Sequence, residues 1–205
     1  MRSRSRSQDG RSGNELVEFA LVATLLLTVL FGTFVVGMNL GRSIQVSQVS
    51  RDAGHLYARA VDFSDPANQQ LLVRLAEGLP ITTGGGQGVV ILSTVMHIGD
   101  VQCEGAGLNG ADCTNRNQDV FTHRIVIGNS AARSSAFGTP APALIDSRGS
   151  IAEYLTAVSA RASGFQPVLP LQAGELAYVA EVYFPSPDWT MPGYQATGVY
   201  ARTIF

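Results

Sequence analysis

Residues 13–41 read GNELVEFALVATLLLTVLFGTFVVGMNLG, and this stretch decides how the rest of the chain is organised. No charged side chain occurs from Phe19 to Gly41. A helix rises about 1.5 Å per residue, so about 20 apolar residues cross the roughly 30 Å hydrocarbon core of a bilayer. A core helix of a soluble domain would show a polar face, and none occurs before Arg42. The stretch is therefore predicted to be a membrane span or the core helix of a filament.

The residues that precede this stretch predict its orientation. Residues 1–13 contain four Arg and one Asp, and short Arg-rich flanks stay on the cytoplasmic side of a membrane. The chain after the helix is therefore predicted to be exported. A secretory signal places a short apolar region before its small-residue cleavage site. Here the small residue Gly13 comes first and a longer apolar run follows, an order of parts that resembles type IV prepilins.

A resemblance to a known family rests on residues 13–32. The segment GNELVEF resembles the prepilin pattern of Gly, four residues, Glu and an aromatic residue. The longer GNELVEFALVATLLLTVLFG resembles a TadE-type pseudopilin of the Tad (Flp) pilus system. The resemblance is strong over about residues 13–60 and only general beyond. It implies a leader of residues 1–13, which a prepilin peptidase removes by cutting between Gly13 and Asn14.

Glu18 is a carboxylate one turn inside an apolar helix. A carboxylate costs about 2.5 to 3.5 kcal/mol at the bilayer centre on insertion scales, and less near the interface, so it needs a partner. The resemblance implies that Glu18, with the adjacent Phe19, takes part in subunit pairing, in which the new α-amino group of Asn14 on a neighbouring subunit meets the carboxylate. The alternative is that Glu18 extends toward the lipid headgroups without a protein partner.

Length and charge leave room for one exported domain. The 205 residues, 45% of them hydrophobic, provide a span at residues 14–41 and one domain at residues 42–205. The chain has 14 Arg, no Lys and 16 acidic residues, and loss of the leader removes four Arg and one Asp. Ten basic and fifteen acidic residues then remain, a formal charge of −5. Such an acidic chain is a poor nucleic-acid binder.

Two helices are predicted at the start of this domain. Residues 42–60 are predicted to continue the span as an amphipathic helix, with an imperfect apolar stripe and Gly54 as its one strong breaker. The stripe consists of Ile44, Val49, Leu56 and Tyr57. Asp65 followed by Pro66 is typical of a helix start, and Gly78 with Pro80 ends that helix. Its predicted apolar face consists of Leu71, Leu72, Leu75 and Leu79.

The rest of the domain alternates strand and loop patterns. Four runs rich in β-branched, aliphatic and aromatic residues predict strands, at residues 89–98, 120–127, 175–184 and 194–205. Residues 150–164 are predicted to form a second amphipathic helix, because Ser150 and Glu153 have the spacing of a capping box. Residues 82–88 and 131–143 are predicted to be a flexible connector and a surface loop. The fold class is therefore α+β, with about four antiparallel strands and packing helices. The resemblance implies the same pilin-like arrangement.

Cys103 and Cys113 are the two cysteines of the chain. In an exported domain two cysteines usually pair, and the short ring would contribute about 2 to 3 kcal/mol by the loop-entropy model. A metal site would need closer pairs and further ligands, which His97 alone does not supply. We therefore predict a disulfide and no metal.

No catalytic constellation is found in the sequence. The three histidines, His55, His97 and His123, are isolated, and no nucleophile elbow or H-E-x-x-H pattern occurs. His97 and His123 lie in strand-like runs, where a hydrogen-bonded structural histidine is the commoner case. We therefore predict no enzyme activity and no cofactor. The loop at residues 185–194 contains the single Trp189, which is either a contact anchor or a lid on its own domain.

Two functions remain as hypotheses. The first is a minor pilin or pseudopilin that takes part in assembly or initiation of a Tad/Flp-type pilus. The resemblance implies the bacterial inner membrane, a cytoplasmic N-terminus and a periplasmic domain. It implies lipid, prepilin peptidase, other pilin subunits and the Tad assembly machinery as partners. The second is a single-pass, membrane-anchored periplasmic binding protein with no leader processing.

Overall fold

The computed structural model describes residues 9–109, 111–185 and 198–205, and only the backbone of residues 9–13. The chain divides into two compact units, one that ends at Gly41 and one that runs from Arg42 to Phe205. A single α-helix, α1 (Asp9–Ala58), contributes to both units. All described strands belong to the second unit.

The second unit is built on a four-stranded antiparallel sheet of the strands β3 (Val89–His97), β4 (Asp119–Gly128), β5 (Leu176–Phe184) and β6 (Val199–Ile204). Their order in the sheet is β4-β3-β5-β6. Seven consecutive residues of the internal strand β3 are buried, as expected of a β-branched and aliphatic run covered on both faces. The predicted α+β fold class, with a sheet of about four antiparallel strands, is confirmed.

The second half of α1 covers one face of this sheet. Its buried residues follow helical spacing and pack against strand residues that include Leu92, Ala180 and Val182. Two residues of the predicted stripe differ in the structure. Ile44 is 52% exposed and does not belong to the stripe, and Leu56 is only half-buried. The predicted stripe leaves out two buried residues, Val46 and the small residue Ala53. The buried stripe consists of Val46, Val49, Ala53 and Tyr57.

The helix predicted after Asp65 is present as α2 (Pro66–Leu75). The Asp65 carboxylate accepts a hydrogen bond of 2.9 Å from the Ala67 N–H, which is the predicted capping contact. Leu72 is fully buried in the helix-facing core, whereas Leu71 and Leu75 are exposed. The apolar face of α2 is therefore narrower than the sequence predicts.

The two segments predicted to be a connector and a surface loop, residues 82–88 and 131–143, both contain ordered contacts. The glycine-rich connector contains a hairpin of two short strands, β1 (Ile81–Thr82) and β2 (Gly85–Gly86). In residues 131–143, Phe137 is buried against Phe165, with ring centroids 4.9 Å apart. This segment therefore covers the sheet face that α1 leaves open.

The predicted helix over residues 150–164 is wrong. Ile151 donates its N–H to the Thr122 carbonyl, so the chain pairs with β4 there instead of coiling. The Ser150 N–H, which the capping box would give to Glu153, donates to the Asp146 carboxylate. Glu153 has a φ of +54°, outside the helical region. Only a 3-10 turn remains, at Val158–Ala160.

The predicted disulfide between Cys103 and Cys113 is present in the structure. Cys103 lies in the short helix α3 (Asp100–Gly105), and both cysteines are buried. They pack with Ile98 and Val120 in a small core of their own. The disulfide therefore closes a compact corner of the domain beyond the ends of β3 and β4.

Gly54 lies where α1 approaches the sheet closely. A Cβ atom at this position would lie 2.5 Å from Phe205 Cε2 and 3.2 Å from Ala180 Cβ. The helix continues through Gly54 without a break. Its role is therefore to provide room for packing and not to end the helix, as a breaker would. At Gly41, also in α1, a Cβ atom would have no neighbouring atom within 4 Å.

We expect Gly54→Ala to destabilise the domain through this contact. Overpacking costs about 1 to 3 kcal/mol, which the better helix propensity of Ala, worth about 1 kcal/mol, offsets only in part. The measurement is chemical unfolding of the full chain in detergent micelles, with Gly41→Ala as the matched control. We expect Gly54→Ala to be less stable than Gly41→Ala by about 1 to 3 kcal/mol. Equal stability would show that the Phe205 ring moves aside freely.

Candidate membrane-spanning and assembly helix

The first unit presents an apolar helical surface. The large side chains between Leu16 and Leu40 are largely exposed, and none of the most apolar 18-residue window of α1 is buried. By length and composition α1 is long and apolar enough to cross a membrane. It is the one such helix among the described residues. This is compatible with a single-pass membrane anchor.

Three threonine hydroxyls on this surface bond to the helix itself. Thr24 donates to the Ala20 carbonyl at 2.7 Å, and Thr28 donates to the Thr24 carbonyl at 2.8 Å. Thr33 donates to the Leu30 carbonyl at 2.9 Å. A hydroxyl bonded in this way requires no water. These polar side chains therefore do not oppose an apolar environment.

The predicted cleavage and pairing residues all lie in the first described turns of α1. Gly13 and Asn14 are helical in backbone, so the bond between them lies within the helix. Asn14 and Glu18 are four residues apart, a spacing that places them on one face, one turn from each other. The Glu18 side chain is exposed, and among the described residues no hydrogen bond or ion pair involves it. Its carboxylate is therefore available to a group outside this part of the chain.

Two further features of this surface leave space for a partner. Phe19, next to Glu18, is 72% exposed. At both Gly37 and Gly41 the position of a Cβ has no atom within 4 Å. Small residues four apart allow another helix to approach closely. Phe19 and the two glycines therefore lie on open surface of the helix.

Tyr57 joins the second half of α1 to the sheet. Its hydroxyl lies 2.8 Å from Thr94 Oγ1 on β3 and 2.8 Å from His123 Nδ1 on β4. His123 Nε2 donates to the Arg148 carbonyl, so Nδ1 accepts the Tyr57 proton in the neutral ring. His123 is paired with Thr94 in the ladder of β3 and β4, immediately before the register shift at Thr94/Val95. Sequence reasoning found the structural histidine but not its tyrosine partner.

Glu181 forms a polar cluster on the opposite face of the sheet. It is 2% exposed, and Oε1 accepts from the Tyr200 hydroxyl at 2.6 Å and from the Ala136 N–H at 2.8 Å. Burial, followed by the Glu181 hydrogen bond, raises the pKa of Tyr200. Burial lowers the pKa of Arg124 on β4, and the Glu181 charge opposes that shift. The cluster fixes the segment around residue 136 to the sheet.

The described residues contain no group of three or more His, Cys, Asp or Glu that could hold a metal ion. His97 and His123 are both hydrogen-bonded inside the sheet, as predicted. The ring of His55 packs on Phe205 with centroids 4.3 Å apart. The predicted role of Trp189 lies outside the described residues.

A family model described as TadE-like protein matches residues 13–55. The match confirms the resemblance predicted from the GNELVEF segment, over this part of the chain. It covers most of α1 and none of the sheet. Neither a curated protein nor a solved structure matches the chain.

Tyr57 is expected to make stability fall at alkaline pH. The pKa of Tyr57 is raised to about 12, and burial is the largest cause of this shift. Removal from water penalises the charged phenolate. The folded state therefore holds Tyr57 neutral, and the free energy of unfolding is fully retained below about pH 10 and falls as the pH rises to about 12. A raised pKa of this size corresponds to about 2 to 3 kcal/mol.

Unfolding of the full chain in detergent micelles between about pH 8 and pH 12 tests this expectation. Tyr57→Phe should be less stable at pH 8 by about 1 to 3 kcal/mol, because Thr94 and His123 lose their partner. On going to about pH 12, its free energy of unfolding should also fall by about 2 to 3 kcal/mol less than that of the wild type. Tyr154→Phe serves as the control and should keep the alkaline fall. An equal fall in Tyr57→Phe and wild type would contradict the assignment.

Proposed function

We propose, from the premise that residues 13–55 are TadE-like, that this chain is a minor pilin of a Tad-type pilus. In this proposal a prepilin peptidase removes residues 1–13, and α1 then enters the filament core or initiates it. The observation that carries the proposal is the coincidence of the family match with an exposed apolar helix that has a carboxylate, Glu18, within its first turns. A helix that only anchors a domain has no need of that carboxylate.

The cost of placing the Glu18 carboxylate in apolar surroundings supports a partner for it inside the assembly. A carboxylate near the end of a membrane helix is costly unless it is paired or reaches water. Cleavage after Gly13 creates an α-amino group on Asn14, one helical turn away from Glu18. A neighbouring subunit that is shifted along the helix axis would present the same two groups. A charge-assisted bond from the amino group of one subunit to the Glu18 carboxylate of the next would then form only in processed and assembled chains.

The peptidase step requires the backbone around the Gly13 to Asn14 bond to leave its helical conformation, because both residues lie in α1. Gly is a poor helix former, which lowers the cost of opening the helix at this point. The peptidase would bind the opened segment and hydrolyse the bond after Gly13.

Two observations support the proposed orientation. The Arg-rich residues 1–13 favour the cytoplasmic side, and the buried Cys103 to Cys113 disulfide fits an oxidising compartment. The sheet domain then lies in the periplasm, where it would face other pilin subunits and the Tad assembly proteins. No step in this proposal uses a cofactor or a catalytic residue.

A second candidate is a single-pass membrane-anchored binding protein whose leader is never removed. The observation in its favour is that α1 continues without interruption from Asp9 through the Gly13 to Asn14 bond. In that case Glu18 would extend toward the headgroups, and the leader would remain as a cytoplasmic flank. The two candidates differ in the N-terminus of the mature chain.

The N-terminal mass of the chain decides between the two candidates. We expect a chain that starts at Asn14 when the protein is extracted from cells with a prepilin peptidase, and an uncut chain from cells without it. Gly13→Leu should block the cut, and Gly10→Leu, a glycine of the same leader, should not. An uncut wild-type chain in both kinds of cell would leave the anchored binding protein as the function.

The role of Glu18 is tested separately from cleavage. We expect Glu18→Gln to be cut normally, yet to appear in the sheared filament fraction at least tenfold less than wild type, a change that corresponds to about 1.4 kcal/mol. Glu15→Gln changes a carboxylate of the same turn and should remain near the wild-type level. Equal incorporation of the two variants would rule out a pairing role for Glu18.

A further inference from the structure

A polar cleft of about 480 Å³ lies at the end of β3 and β4. One wall is formed by the paired strand ends, with His97 opposite Asp119 in the ladder. The other wall is the segment from Arg161 to Pro167. Arg161 bridges Val120, and the Ala162 N–H donates to the Asp119 carbonyl, so this segment runs beside the start of β4. The cleft lies entirely within the second unit.

The histidine of this cleft is held in one orientation. His97 Nδ1 lies 2.7 Å from Asp119 Oδ1, and the Asp119 side chain is 5% exposed. The carboxylate can only accept, so Nδ1 carries the proton. The other ring nitrogen, Nε2, has no partner within the described residues. A buried carboxylate that orients an imidazole in this way leaves the second nitrogen for a group from outside.

The arginine of this cleft is also braced. Arg161 Nε donates to Asn115 Oδ1 at 2.7 Å, and Nη2 donates to the Thr114 carbonyl at 2.8 Å. Asn115 is fully buried, and its amide donates to the carbonyls of Tyr154 and Ala157. The guanidinium is therefore fixed by a rigid polar network. Nη1 has no partner in the described part of the chain.

We infer that this cleft binds a single carboxylate group, which accepts hydrogen bonds from Arg161 Nη1 and from protonated His97 Nε2. With His97 protonated, His97, Arg161 and Asp119 leave a net charge of +1. This charge matches one carboxylate, whereas a phosphate dianion usually meets several cationic groups. A planar guanidinium with one free edge fits a carboxylate in geometry as well. The carboxylate is either a side chain of a partner polypeptide or a free small acid.

Binding is coupled to the protonation of His97, because a neutral Nε2 has a lone pair that repels the carboxylate. The charged side chains beside His97 are Asp119 on β4 and Arg161, which lines the same cleft, and Glu175 is its backbone neighbour in the segment before β5. Glu175 accepts the His97 N–H through its carbonyl, and its carboxylate accepts the Gln172 N–H. The site is independent of leader cleavage, so it can fail while the proposed pilus function holds.

The histidine signals of the full chain in detergent micelles test this inference. With labelled histidine at about pH 5.5, we expect acetate and the capped peptide acetyl-Gly-Glu-Gly-amide to shift the His97 signals with saturation. His55 and His123 are internal controls and should not move, and sodium chloride at equal ionic strength should have no effect. Binding should weaken when His97 loses its proton, because the carboxylate then faces the lone pair of Nε2. Tighter binding of the peptide than of acetate indicates a polypeptide carboxylate, and equal binding indicates a free acid.

Two variants keep the test decisive even if one of them folds poorly. Arg161→Gln should weaken binding at least tenfold, but it also removes part of the brace on residues 114 and 115. Ser163→Asp adds a negative charge to the wall of the cleft, and its side chain makes none of the bonds above. It should abolish the shift, whereas Ser147→Asp, an exposed serine outside the cleft, should not. No shift with either probe, equal shifts of all three histidines, or unchanged binding in Ser163→Asp would overturn the inference.

Discussion

The packing of the second half of α1 on the sheet is the contact on which the domain depends. Val46, Val49, Ala53 and Tyr57 supply the apolar layer that the helix-facing side of the strands requires. Polar bonds fix its position, because Ser50 Oγ donates to the Ala180 carbonyl at 3.2 Å and also contacts Thr203. A single helix therefore meets two different requirements, one for apolar surroundings before Gly41 and one for a folded core after Arg42.

The parts of this fold that could be predicted are those whose signal is local and long. The apolar run, the strand patterns and the Asp65 cap each depend on neighbouring residues, and no distant contact competes with them. The GNELVEF segment is also a local signal, because the resemblance can be recognised from seven adjacent residues. Such local signals are sufficient to predict the fold class and the family resemblance.

Other parts depend on contacts that no local pattern contains. Ser150 and Glu153 have the spacing of a helix cap, yet β4 and Asp146 take the N–H groups that the cap would use. The pairs Tyr57 with His123 and His97 with Asp119 arise from the strand register and from the docking of α1. Phe137 is buried because its loop crosses a sheet face that would otherwise be bare. None of these contacts can be predicted without knowing which strands are neighbours in the sheet.

The threonines of the apolar helix have a consequence for how freely that helix can change its surroundings. Because Thr24, Thr28 and Thr33 donate to carbonyls of their own helix, no hydrogen bond is broken or formed when lipid around them is replaced by other apolar side chains. The remaining apolar residues pack equally well against lipid and against apolar side chains. If the helix leaves a bilayer, as the proposed function requires, the electrostatic cost of that movement depends on Glu18, whose carboxylate must exchange one set of neighbours for another.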